Sequence, residues 1–360
     1  MNADLAAQSH TSLAKATQFL VSQQGKDGGW HSQTYGQLKD GAGVTALALV
    51  AISYLPRDLR QKLTRPIERG FAFFEQGIAK RQTIASPDGT LDYPTYASAL
   101  WLEARQRLAM PAPAAQTTAV RDYLLAAQVA EGRGFQPDHP QYGGWDFLGQ
   151  EDAQGITTGT NISVTRYVLS ALASQQKADD RVSVAITSAK AWLLRCQQAD
   201  SGFCFTTEPM SLNNKAGFRD EQQMQPRSYG TATCDGILAL LATGMNRDAA
   251  PIRKAVAWLT KRKSLELVPG FEEAPPELGW QRGLRFYYYE GLAQVLTLLP
   301  EPEQTARREG LLKLLVKQQR ADGSFVNDSD RMRENDPLIA TPLAMVGLAA
   351  ALLLPKRSEQ

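Results

Sequence analysis

Two kinds of apolar pattern alternate along the chain. The first is amphipathic at helical spacing and recurs at about 12–24, 66–78, 116–129, 184–198, 250–262 and 304–319. Ile186, Ala189, Leu193 and Cys196 show its three- and four-residue rhythm, and the opposite faces are rich in Lys, Arg and Gln. Such helices put one face on a core and the other in water. The second kind is apolar nearly all round. It is clearest in Val44–Ile52, Val164–Leu172, Ala232–Leu240 and Ala340–Leu348, which align without gaps on Thr45, Thr165, Thr233 and Thr341. In each, the fourth residue after the threonine is Leu, Ile or Met, the sixth Ala or Gly, and the seventh Leu or Ile. Small residues let helices approach closely, and large ones fill the space between them. Two looser runs, Tyr93–Leu102 and Phe286–Ala293, complete the set.

Between the two kinds of helix stands a recurring turn. Gln23-Gln24-Gly25-Lys26-Asp27-Gly28-Gly29-Trp30 has the same plan as Gln318-Gln319-Arg320-Ala321-Asp322-Gly323-Ser324-Phe325. Looser copies are Gln197–Phe203 and Gln128–Phe135, and Tyr142-Gly143-Gly144-Trp145-Asp146 carries the signal again. Glycine after aspartate ends a helix and turns the chain, and the aromatic ring covers the helix ends. Internal repeats set the architecture before anything else. About six outer–inner helix pairs predict an all-α, single (α/α)6 ring over residues 1–354, with 355–360 as a polar tail. No strong strand signal interrupts the helices. The long connections Glu131–Thr160, Ser201–Ser228, Lys263–Leu284 and Ala321–Asp336 all run from outer to inner helices. They therefore gather at one end of the ring, as a funnel or lid.

Composition narrows the chemistry. With 39 Lys plus Arg against 37 Asp plus Glu the net charge is +2, and no basic stripe marks a nucleic-acid partner. Three cysteines make no disulfide framework, although Cys196 and Cys204 are close enough in sequence for a bridge to be considered. No apolar run reaches the roughly 18 residues that span a bilayer. No signal peptide is visible at the N-terminus, which reads as cytoplasmic by default, or as exported if a signal was trimmed.

The units Gln24-x-x-x-Gly28-x-Trp30 and Gln319-x-x-x-Gly323-x-Phe325, with Lys15-Ala16 ahead of Phe19-Leu20, resemble the glutamine–tryptophan repeats of squalene–hopene cyclases. The same repeat type occurs in protein prenyltransferase β subunits. The resemblance covers nearly the whole chain and implies a terpenoid cyclase-like α/α toroid. It implies less about reaction, because the catalytic motifs depart from those families. An alkene-protonating Asp-x-Asp-Asp would stand just before an inner-helix threonine, and Asn161-Ile162-Ser163-Val164 occupies that place here. A zinc site would need Asp-x-Cys on one inner helix and His on a later one. Cys234-Asp235 has another order, the next inner helix offers Tyr287, Tyr288 and Tyr289, and His10, His31 and His139 lie outside the inner helices. No metal and no cofactor is expected.

Candidate residues cluster at the inner-helix starts. The candidate acids are Asp92, Asp235, Glu290 and Asp336; Asp92 and Asp336 also read as helix N-caps. Tyr93, Tyr96, Asn161, Tyr229, Cys234, Arg285, Tyr287 and Tyr288 are candidate ligand contacts, since aromatic walls suit an isoprenoid chain or a cationic intermediate. Cys234 taken alone reads as a small core residue. Arg166, Arg227, Arg282 and Arg285 each read as solvated, or as facing an anionic head group such as a diphosphate. The leading expectation is a cyclase- or prenyltransferase-like toroid with an apolar, isoprenoid-like ligand in a central cavity. A non-enzymatic scaffold for a protein or peptide partner, and an (α/α)6 carbohydrate-active enzyme, stand as alternatives.

Overall fold

A computed structural model describes residues 2–81, 84, 93–111, 113–149, 159–177, 179–208, 214–220, 225–272 and 279–354. The threonine-aligned runs and their two relatives become the inner helices α2 (Ala42–Ser53), α5 (Pro94–Leu108), α7 (Ile162–Ala173), α9 (Gly230–Ala242), α12 (Arg285–Val295) and α14 (Pro337–Leu352). Each packs on the next, and α14 packs on α2, so the ring closes. The amphipathic runs become the outer helices α1 (Ala3–Ser22), α4 (Thr64–Arg81), α6 (Ala114–Ala126), α8 (Asp180–Cys196), α10 (Ala250–Thr260) and α13 (Glu303–Gln318). Helix α14 is buried along most of its length, which is why its sequence is apolar on every face. Two short helices, α3 (Arg57–Arg60) and α11 (Trp280–Gly283), sit in connections. The result is an all-α toroid.

The repeated turn holds the ring together, and its residues have separate jobs. The Gln24 side-chain amide donates to the carbonyl of Gly28 in its own turn and to that of Pro66 at the start of the next outer helix, at 2.8 and 2.9 Å. Gln128 bonds Gly143 and Ala185 in the same way. Gln197 bonds Ser201 and Pro251. Gln319 bonds Gly323 and Ser12, which ties the last turn to the first helix. The aromatic residue then meets the aligned threonine. The backbone N–H of Trp30, Trp145, Phe203 and Phe325 donates to the hydroxyls of Thr45, Thr165, Thr233 and Thr341, at 2.8–3.1 Å. Each staple gives hydrogen-bond partners to backbone groups of the turn and of the next outer helix, and all four aromatic rings are buried.

Three expectations change. The first helix starts at Ala3 rather than near 12, because Asn2 caps it by accepting from the Asp4 N–H. The turn served by Gln128 is Gly143–Trp145, not the nearer Gly132–Phe135, so a long excursion is inserted between glutamine and aromatic. The long α8–α9 connection carries a small antiparallel ribbon, β1 (Phe218–Asp220) with β2 (Gln225–Pro226), too short to read in the sequence. Cys196 and Cys204 are free, buried thiols. The proposed tail, 355–360, lies outside the described residues.

The turns need a left-handed residue pressed against the neighbouring outer helix. Gly28 has φ +95°, and a Cβ there would stand 2.3 Å from the Arg69 carbonyl oxygen. In the third unit this position is Ser201, at φ 77°. Gly28→Ala should therefore cost more than about 2 kcal/mol, while Ser201→Gly should stabilise by about 1 kcal/mol. Urea unfolding of the two variants checks this. A harmless Gly28→Ala, or a destabilising Ser201→Gly, would contradict the staple geometry.

Candidate functional site

The inner face of the ring carries a buried polar network that its apolar helices would not otherwise tolerate. Its hub is Arg166 on α7. The guanidinium forks onto Glu290 of α12, with Nη1 and Nη2 each 2.7 Å from a carboxylate oxygen. Nη1 also reaches Asp235 of α9 at 3.1 Å. All three residues are buried. Their helices can converge because the small Gly291 of α12 receives Cys234 of α9, where an added Cβ would come within 3.0 Å. Cys234 is thus a packing residue.

From Asp235 a line of hydroxyls runs across the ring. Tyr287 donates to both carboxylate oxygens, at 3.1 and 3.0 Å. Its hydroxyl is also hydrogen-bonded to Ser163, which in turn bonds Tyr96 at 2.5 Å. Tyr287 and Glu290 lie three residues apart on α12, and Ser163 and Arg166 three apart on α7, so each helix presents its pair on one face. Gln294 adds a 2.5 Å bond to Glu290 and accepts from Tyr54 at 2.7 Å. Aromatic rings line the same side. Tyr96 packs on Phe147 and Tyr167, with centroids 5.7 and 5.5 Å apart, and Tyr167 approaches Tyr287 at 6.5 Å.

Charge counting explains the protonation of this cluster. One guanidinium serves two carboxylates, so with both ionised an uncompensated negative charge is buried. Glu290 takes the bidentate position. Burial works against the charge on Arg166, but the paired Glu290 holds its pKa above the ordinary value. Burial, opposed by Arg166 and reinforced by Glu290, pushes Asp235 up to about 6. Burial also raises Glu103, on α5 nearby. Asp235 is therefore the group in the network that takes up and releases a proton near neutral pH.

Of the sequence candidates, Asp235, Glu290, Tyr287 and Tyr96 are brought together. The others stand apart. Asp336 is the N-cap of α14, accepting from the Leu338 N–H at 2.8 Å and from the Ser32 hydroxyl. Asn161 caps α7 through the Val164 N–H at 3.0 Å. Tyr229 begins α9 and packs on Phe271, with centroids 5.1 Å apart. Tyr93 begins α5 at φ 49° and packs edge-on to Phe147. Arg285 pairs with Asp328 at 3.5 Å. Tyr288 is buried against Gly230. Asp92 lies outside the described residues. Arg166, read from sequence as solvated or as facing an anion, is the opposite: 5% exposed and paired to two carboxylates. Among the described residues no group of three or more His, Cys, Asp or Glu gathers as a metal-binding set, and no helix is long and apolar enough to cross a membrane.

The model of the prenyltransferase alpha-alpha toroid domain matches residues 150–272 and 270–346, more than half of the chain. The chain belongs to the prenyltransferase alpha-alpha toroid family. Its fold is similar to that of the type II terpene cyclase MstE from Scytonema, seen with its product merosterolic acid A, at TM-score 0.65 and 15% identity over 98% of this chain and 99% of that one. The same cyclase bound to its substrate geranylgeranyl dihydroxybenzoate gives TM-score 0.62 at 14% identity, over 98% of both chains. An alpha-1,6-mannanase of Salegentibacter, in complex with alpha-1,6-mannotriose, gives 0.58 at 13% identity, over 95% of this chain and 100% of that one. At these identities the likeness is one of fold. No curated protein matches the sequence.

The raised pKa of Asp235 fixes the sign of a pH effect. Between the ordinary aspartate value and about 6, the folded toroid binds a proton that the unfolded chain does not. The stability this confers is present at low pH and is lost as pH rises through 6. Asp235→Asn should remove that slope, so its stability relative to wild type should grow by up to about 3 kcal/mol from pH 4 to pH 7. Urea midpoints at each pH check it. A difference that stays flat, or shrinks, would contradict the assignment.

Proposed function

We propose that the toroid binds an apolar, isoprenoid-like ligand at the centre of its ring, with Asp235 and Tyr287 at the polar end of the site. The observation that carries this reading is the aromatic face built by Phe147, Tyr96, Tyr167 and Tyr287 beside the hydroxyl line that ends on Asp235. Tyr96 and Tyr287 sit on inner helices, yet they are only half-buried. An apolar wall with a few convergent polar groups is the usual form of a small-molecule site, and aromatic faces favour both alkene chains and cations. Family membership supports the reading, and so does the geranylgeranyl-bearing substrate held by the structurally similar cyclase. Asp235 differs from the acid motif of terpene cyclases in its place in the repeat and in its tie to an arginine. It is assigned here as the site's exchangeable proton and not as an alkene-protonating acid.

The carbohydrate-active alternative is disfavoured by the same geometry. Hydrolysis of a glycoside uses two carboxyls standing apart across the scissile bond. Here Asp235 and Glu290 converge on one guanidinium. No observation singles out a docking surface for a protein partner.

Lipid extraction and mass spectrometry of the protein purified from its own host should show a co-purifying isoprenoid. Geranylgeraniol should bind the emptied protein saturably. Tyr287→Ala should weaken that binding by roughly tenfold, the loss of about 1.4 kcal/mol of contact, whereas Tyr142→Ala, on the outer side of a loop, should not. No co-purifying isoprenoid together with no saturable binding would overturn the proposal.

A further inference from the structure

Cys196 and Cys204 take no part in the polar network, and the third staple brings them together. The Cys204 N–H donates to the Cys196 carbonyl at 3.1 Å, and the Gln198 N–H to that of Gly202 at 2.8 Å. Gln197 and Phe203 thus form an antiparallel bridge, and the two cysteines flank it opposite each other. Residues opposed across such a hydrogen-bonded pair have Cα atoms about 5.5 Å apart, inside the roughly 4.4–6.8 Å that a disulfide spans. The two thiols are in hydrogen-bonding contact, and the Cys204 Sγ lies 3.4 Å from the Cys196 carbonyl oxygen. The staple itself does not require this pair. The same places hold Gln23 and His31 in the first unit, and Gln318 and Val326 in the last.

The two sulfurs are not equivalent. Cys196 ends α8 and is fully buried, and burial pushes its thiol up. Cys204 is buried too, yet it borders a cavity of about 500 Å³ that Asp138, Arg195, Thr207 and Gln225 also line among the described residues. The Gln198 side-chain amide donates to its Sγ at 3.2 Å, a contact that favours negative charge on the sulfur. Cys204 is therefore the sulfur that a small molecule meets first. Its segment also ties two inner helices together. The Phe203 N–H donates to Thr233 of α9 at 3.1 Å, and the Phe205 carbonyl accepts from the Ile162 N–H of α7 at 2.9 Å.

We propose that Cys196 and Cys204 are an oxidative modification site, which closes to a reversible disulfide when a small peroxide enters the cavity beside Cys204. The Cys204 sulfur attacks one peroxide oxygen and the O–O bond breaks. The leaving oxygen takes the Cys204 thiol proton and departs as water, so that Cys204 becomes a sulfenic acid. The Cys196 sulfur then attacks the Cys204 sulfur. The S–S bond forms, the S–O bond breaks, and hydroxide leaves as water with the Cys196 proton. Two thiols are oxidised and one hydrogen peroxide is reduced to two waters. The bridge joins the end of α8 covalently to the segment that holds the starts of α7 and α9, the helices that carry Arg166 and Asp235.

Thiol counting and peptide mapping test this. The reduced full-length protein is treated with hydrogen peroxide, quenched, and alkylated with iodoacetamide in urea. Alkylation should fall from three thiols per chain to one, on Cys234. Cleavage before Asp200 should leave the Cys196 and Cys204 fragments joined until dithiothreitol is added. The urea midpoint should rise on oxidation and return on reduction, because the bridge constrains the unfolded chain. Cys196→Ser should stop at a Cys204 sulfenic acid that dimedone traps, and Cys204→Ser should give neither a bridge nor a dimedone adduct. Three alkylated thiols after peroxide, oxidation of Cys234 at the same rate, or over-oxidised Cys204 with Cys196 still alkylated would overturn the proposal. The mapping of wild-type protein decides the matter even where a variant fails to fold.

Discussion

The centre of this toroid depends on one unequal bargain: a single guanidinium shared by two carboxylates. Arg166 brings α7, α9 and α12 to a common point. Each of those residues would be intolerable there alone, because a buried charge without a partner costs several kcal/mol. Together they leave one carboxyl in excess. The excess falls on Asp235, which has the weaker hold on the arginine and takes hydrogen bonds from Tyr287. The hydroxyl line through Ser163 to Tyr96 then connects that proton to the aromatic face of the ring. The buried charges and the aromatic face thus meet at the same place.

The staples allow the centre to be built in this way. Because each glutamine closes its own turn and grips the next outer helix, while each aromatic N–H caps onto an aligned threonine, the ring closes through its periphery. The inner helices need not be held by a solid apolar plug. Their inward faces are free to carry tyrosines and charges, at positions where a simple helical bundle would place leucine.

Much of this was legible in the sequence, for a physical reason. The staple is local: glutamine, aspartate, glycine and aromatic lie within a few residues, and the threonine follows at a short distance. Periodicity and turn chemistry therefore expose it. The Gln128 unit departs from that locality, since its partner Gly143 lies fifteen residues on. The site was legible only in part. Asp235, Tyr287 and Glu290 stood out as polar residues in apolar helices. Arg166 reads in the sequence only as solvated or as facing an anion, because its partners are 69 and 124 residues away and a lone arginine carries no mark of burial. Asp336 and Asn161 drew attention for the converse reason. Residues that cap helices are of the same types as residues that do chemistry, and here the capping role is what the geometry shows.

The central claim is that Asp235 holds the exchangeable proton of a buried cluster in which Arg166 stays charged. Infrared difference spectroscopy across a pH titration from 8 to 5 tests it most directly, by reading the carbonyl stretch of protonated carboxyls. Glu334, which accepts from the Phe286 and Tyr287 N–H groups at the start of α12, is a second buried carboxyl, pushed by burial up to about 7. The account predicts a protonated-carboxyl component with a midpoint near pH 6 that persists in Glu334→Gln and is lost in Asp235→Asn. A band that remains in Asp235→Asn and disappears in Glu290→Gln would place the proton on the other carboxylate and contradict the account.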